Sequence, residues 1–179
     1  MRRCIPLATG CASKMIQYSK IYNLRRIVQS FRDAIDTAKA NDESAIFFRK
    51  FPVGQCGYTT EMLAKYLASK GYTQMIYETG AYFWEDSYTN IDHEPNQHTW
   101  LCVDGLIVDI TGDQFKHYDK PLRNDTPVYV GPKTPYFDLF EVHPCGRCKT
   151  SGYDPSSPMG SDLDSWYNVI MKYLNEHSG

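Results

Sequence analysis

The sequence predicts one α+β domain, with N-terminal helices packed on a mostly antiparallel sheet and a C-terminal helix closing the chain. Three observations predict it. Helical periodicity occupies the early and the last parts of the chain. Runs of β-branched and aromatic residues occupy the middle. Asp104-Gly105 sits between two apolar runs, the strongest short hairpin signal present. Helices segregated from hairpin-linked strands indicate the α+β class. A length of 179 residues suits a single domain over 1–179, and 42% apolar residues are enough for one core.

Residues 1–20 read as a mobile arm ahead of a core over about 21–143. Leu24, Ile27, Val28, Phe31, Ile35 and Ala38 recur at helical spacing, which predicts an amphipathic helix over 23–40 with Arg25, Arg26 and Arg32 on or near its wet side. Asn41-Asp42-Glu43-Ser44 ends it. Ala45-Ile46-Phe47-Phe48 fits either a strand or a buried turn, and Pro52 and Gly54 keep 51–55 a loop. Met62, Leu63, Tyr66 and Leu67 mark a second helix over 56–69, stopped at Lys70-Gly71. Residues 73–84 read as a strand and 85–97 as a polar loop. Thr99–Val103 and Leu106–Ile110 form the hairpin, followed by strands at Val128–Val130 and near Phe137–Val142. Residues 144–160, dense in Pro, Gly and Ser, read as a loop. Ser161-Asp162-Leu163-Asp164 resembles a capping box at the head of a last helix over 161–176.

Composition removes several function classes. The net charge is -2 and Lys and Arg are scattered, which argues against a nucleic-acid partner. No stretch approaches the roughly 18 consecutive apolar residues of a membrane span. Leu7-Ala8-Thr9-Gly10-Cys11 faintly resembles a lipoprotein cleavage site, but the apolar segment before it is short and broken by Pro6, so no signal peptide is expected. Six cysteines in a chain of this length without an export signal suggest free thiols in a reducing compartment, the cytoplasm. No cofactor is implied, and the oligomeric state is open.

Cys56 stands where a loop turns into a helix. The unpaired N–H groups and positive dipole end of a first helical turn stabilise a thiolate and can receive an oxyanion. The competing reading is an inert buried cysteine. With Asp104 and Gly105 as the central turn residues, Val103 faces Leu106 and Trp100 faces Asp109. His98, Trp100, Cys102, Asp109 and Thr111 then share one face, and His98 and Asp109 become diagonal neighbours. A carboxylate in the apolar run Leu106–Ile110 needs a partner, and His98 supplies one. Such a carboxylate fixes the imidazole tautomer and frees the other nitrogen for a thiol. The pair is alternatively structural. Asp113 is a rival orienter. Cys102 lies about 13 Å along the strand from His98 and reads as an apolar filler.

Gly54-Gln55-Cys56 opening a helix, His98-Thr99-Trp100-Leu101 on a strand and Asp109 on the next strand resemble the transglutaminase-like branch of the papain-like cysteine enzymes. The resemblance covers about residues 50–115. It implies Cys56 as nucleophile, His98 as base and Asp109 as orienter, with acyl chemistry on an amide of a protein or peptide: hydrolysis, deamidation or amine transfer. The motif that flanks the papain cysteine is absent. The papain-type oxyanion glutamine lies several residues before its cysteine, whereas Gln55 is adjacent to Cys56; Gln55 is nonetheless the candidate oxyanion donor. Trp100 and Tyr58 are candidate cleft residues, and Tyr82, Phe83 and Trp84 could wall a cleft too, although such residues are more often core.

Two other classes compete. One is a non-catalytic protein-binding module on a papain-like scaffold. The other is a small zinc protein, in which His143, Cys145 and Cys148 offer three ligands and Cys4 or Cys11 a fourth. His93 and His117 lie in polar segments and read as solvated.

Overall fold

The computed structural model describes residues 9–84 and 94–176, with side chains described over 17–84 and 94–175. Three helices lie along the chain: α1 (Thr9–Asn41), α2 (Cys56–Ser69) and α3 (Gly160–Glu176). Five strands form one antiparallel sheet: β1 (Met75–Tyr82), β2 (Asn96–Val103), β3 (Leu106–Asp109), β4 (Tyr129–Gly131) and β5 (Glu141–Lys149), in the order β4-β3-β2-β1-β5. The fold is α+β, as the segregation of periodicities predicts.

Alternation along the strands builds two cores. Leu101, Val103, Leu106 and Val108 face the helices and join Leu24, Phe31, Ile35, Leu63, Leu67 and Ile170 in the larger one. Trp100 and Ile107 face the other way and join Phe115, Leu122, Phe137 and Phe140 in the smaller. The hairpin has the register read from its turn, with Val103 opposite Leu106 and Leu101 opposite Val108. Asp104 and Gly105 both hold positive φ, 51° and 83°. That is the pair of left-handed residues a two-residue I′ turn demands.

Several elements differ from expectation. The first helix begins at Thr9, so 9–20 is helical and not an arm; residues 1–8 lie outside the described part. Once nucleated over its apolar stripe a helix propagates readily, and the extension leaves Tyr18 and Tyr22 exposed while Lys20 pairs with Asp104 at 2.9 Å. Arg32 is buried, not wet. Ala45–Phe48 resolves to the turn alternative, a 3-10 helix over Ile46–Lys50. Residues 96–97 belong to β2, while 85–93, with His93, lie outside the described residues.

The segment 144–149, expected to be loop, lies in β5. Its Pro and Gly misled the reading because this is an edge strand, where Pro144 has no ladder partner to deny. The register steps from Gly80↔Val142 to Glu78↔Arg147, so 143–146 bulges outward. A Cβ on Gly146 would lie 2.6 Å from the Thr79 carbonyl oxygen. The expected capping box is also absent: α3 starts at Gly160, and the Asp164 carboxylate goes to Lys65 at 2.7 Å and Tyr153 at 2.9 Å.

Candidate active site

Cys56 is the first residue of α2, and the loop before it is tied down at several points. The Arg32 guanidinium lies over the Phe51 ring at 4.6 Å, and Lys39 Nζ donates to the Phe51 carbonyl at 2.6 Å. The Thr59 hydroxyl and backbone N–H both donate to the Gln55 carbonyl, at 2.7 and 3.0 Å. Gly57 lets the helix start press on β1, because a Cβ there would lie 3.3 Å from the Tyr77 hydroxyl. The expectation for Gln55 is corrected. Its side chain is buried and its amide N–H donates to the Phe47 carbonyl, so it braces the loop and is not aimed at a substrate oxygen.

The hairpin supplies the second half. His98 is fully buried, and its Nε2 meets Asp109 Oδ2 at 2.8 Å. Asp109 Oδ1 accepts from the Thr111 backbone N–H at 2.8 Å and the Thr111 hydroxyl at 3.3 Å, so both oxygens of this buried carboxylate are occupied. A hydrogen bond to a carboxylate places the ring proton on Nε2 in the neutral imidazole and turns Nδ1 toward its other neighbours. The nearest of those is the Gln114 side-chain amide, 2.8 Å away, and the Cys56 thiol lies within the electrostatic reach of the ring. The structure therefore brings Cys56, His98 and Asp109 together. Asp113 is not the orienter: both its oxygens accept from Arg32 at 2.9 Å.

Gln114 escaped the reading of the sequence. Only its position, next to Asp113 in the turn after β3, hinted at it. Arg32 fixes that turn. Its Nη1 also donates to the carbonyls of Ile110 at 2.8 Å and Pro127 at 3.1 Å, which locks the end of β3 and, one residue beyond Asp113, the base of Gln114.

Electrostatics separate this thiol from that of Cys102 in β2. Burial alone would raise the Cys56 thiol. The hydrogen bond and charge of His98, with hydrogen bonds from Thr99 and Gln114, outweigh burial and lower it. Burial likewise opposes the imidazolium, but the charge and hydrogen bond of Asp109, aided by Cys56, push His98 up to about 9. Both shifts favour a thiolate–imidazolium pair. Cys102 moves the other way: burial raises its thiol and the neighbouring Glu78 charge adds to that.

Cys56 opens on a cleft of about 410 Å³, whose lining includes Tyr58, Glu61, Tyr77, Met159 and Leu163. A second depression of about 680 Å³ shares Gly54 and Gln97 with it and reaches Gln114 and Tyr118. Tyr58 thus lines the cleft as expected, but Trp100 does not. Its ring is fully buried in the smaller core, and its indole N–H donates to Glu78 at 2.9 Å. Tyr82 and Trp84 pack edge to face against each other beside that core. Cys145 and Cys148 lie exposed on β5, and His143 Nδ1 accepts from the Cys145 backbone N–H at 3.3 Å. Among the described residues no three His, Cys, Asp or Glu side chains are grouped to hold a metal, so the zinc alternative on His143, Cys145 and Cys148 finds no assembled site; Cys4 and Cys11 lie outside that description. No described helix is long and apolar enough to cross a membrane.

No family model, no curated protein and no solved structure matches this chain.

Proposed function

We propose that the protein is a thiol-dependent acyl enzyme of the transglutaminase-like, papain-like kind, acting on an amide of a protein or peptide. The observation that carries this reading is the buried His98, held at Nε2 by Asp109 and within electrostatic reach of Cys56 at the start of α2. The Cys56 thiolate attacks the carbonyl carbon, and the C=O electrons move to oxygen. The unpaired N–H groups of the first turn of α2 would receive that oxyanion. His98 gives its proton to the leaving nitrogen, the C–N bond breaks and a thioester remains. Water or an amine then attacks the thioester, with His98 taking the incoming proton and Cys56 leaving as thiolate. Gln114 acts through the imidazole, as a positioning residue. A reducing compartment such as the cytoplasm would keep Cys56 available.

Limiting iodoacetamide near pH 6, followed by peptide mapping, tests the reading. Cys56 should be alkylated at least about tenfold faster than Cys102 or Cys145, since only a lowered thiol is appreciably ionised there. His98→Ala should remove that selectivity. Equal labelling of the three cysteines in the wild type would sink the proposal and leave a binding module with a structural His-Asp pair.

A further inference from the structure

The cleft beside Cys56 has one feature that nucleophilic attack does not require. Glu61, five residues along α2 and so roughly 7–8 Å up the helix axis, lines the same cleft. It is half-buried, and its hydrogen-bond partner is the Thr150 hydroxyl at 3.4 Å, a long contact to one oxygen. Among the described residues no Lys, Arg or His pairs with it, and the cleft lining contains no cationic side chain. Tyr58 and Tyr77 stand in the same wall. The Tyr77 phenol lies within the electrostatic reach of both Glu61 and Cys56, and all three line the one cleft. Burial pushes the Glu61 carboxyl up, against the Thr150 hydrogen bond. Withdrawing a carboxylate from water without a counter-charge is unfavourable, and an incoming cation supplies the missing partner. Aromatic rings beside it add cation–π attraction.

We infer that Glu61, backed by Tyr58 and Tyr77, recognises a lysine or arginine side chain of the substrate beside the carbonyl that Cys56 attacks. This rests on the thiol-enzyme reading and adds a basic peptide as the substrate class. The distinguishing experiment uses thiosulfonate probes, which transfer a sulfenyl group to a thiolate and release a sulfinate. The rate at Cys56 is measured with a cationic probe, trimethylammonioethyl methanethiosulfonate, and with neutral methyl methanethiosulfonate. Each is normalised to the rate with 2-mercaptoethanol. His98 acts equally on both variants, so comparing wild type with Glu61→Gln isolates the carboxylate. The cationic-to-neutral ratio should fall about fivefold in Glu61→Gln, the effect of one nearby partly screened charge. Glu61→Asp should stay nearer to wild type. A ratio unchanged by Glu61→Gln, with Cys56 still reacting faster than Cys145 with the neutral probe, overturns cation recognition and leaves the enzyme reading standing. Neutral-probe reactivity no greater at Cys56 than at Cys145 overturns both.

Discussion

Asp109 and Asp113 lie on one short stretch of chain, four residues apart, and each holds a cationic or cation-forming partner. Asp109 is buried at the end of β3 against His98. Asp113 sits in the following turn against Arg32, which is also buried. The partners make them different devices. Arginine keeps its charge at any biological pH, and Arg32 spends its donors on Asp36, Asp113 and two backbone carbonyls, so it is a permanent brace between α1 and the sheet. Histidine changes charge within reach of neutral pH, and His98 keeps Nδ1 on Gln114 and lies within electrostatic reach of Cys56. One pair holds the frame. The other can change its charge.

The largest effect should come from breaking the brace. Arg32→Met leaves the Asp113 carboxylate without its partner and should cost about 3–5 kcal/mol in urea unfolding. Below its lowered melting temperature, the variant should keep more Cys56 alkylation selectivity than His98→Ala does. Equal loss in both would mean that the two pairs are not separable.

A second, smaller effect is pH-dependent and belongs to the other pair. His98 is raised from its ordinary 6.5 to about 9 on folding. A raised base stabilises the fold fully below about 6.5, and that contribution is lost as pH climbs through about 9. Wild type should therefore lose stability relative to His98→Gln as pH climbs through about 9, followed by urea melts, while at lower pH the lowered Cys56 thiol, which gains stability as pH rises, offsets part of the change. Parallel melts for the two proteins would contradict the raised base. The Arg32 pair should show no matching change, since Arg32 is raised from an already high value.

The smallest effect probes the seam between the pairs. A Cβ at Gly112 would stand 3.0 Å from Asp109 Oδ2 and 2.6 Å from the Asn124 side-chain amide. Gly112→Ala should cost about 1–2 kcal/mol and disturb Asp109 more than Asp113. The expected signature is a loss of Cys56 selectivity larger than the stability change alone explains. A loss of stability with selectivity intact would argue that Asp109 tolerates displacement.

Local rules made much of this molecule legible in advance. The Asp104-Gly105 turn dictates the register of β2 and β3, and strand alternation then puts His98 beside Asp109 with no distant contact needed. The span of α2 followed from its apolar spacing and its Lys70-Gly71 stop. Elsewhere local composition misled. Arg32 reads as solvent-facing because arginine usually is, and only the opposing Asp113, far along the chain, makes its burial tolerable. Pro144 and Gly146 read as loop because the open side of an edge strand is invisible to composition.

The amino-acid sequence by itself determined the α+β class, the hairpin and the His98–Asp109 pair, because those follow from periodicity and turn chemistry over a few residues. Tertiary structure alone decided that α2 brings Cys56 within electrostatic reach of His98, that Gln114 meets the ring at Nδ1 and that Gln55 turns away. Those contacts span tens of residues in the chain, and their geometry depends on how a helix packs on a sheet, which no local pattern encodes.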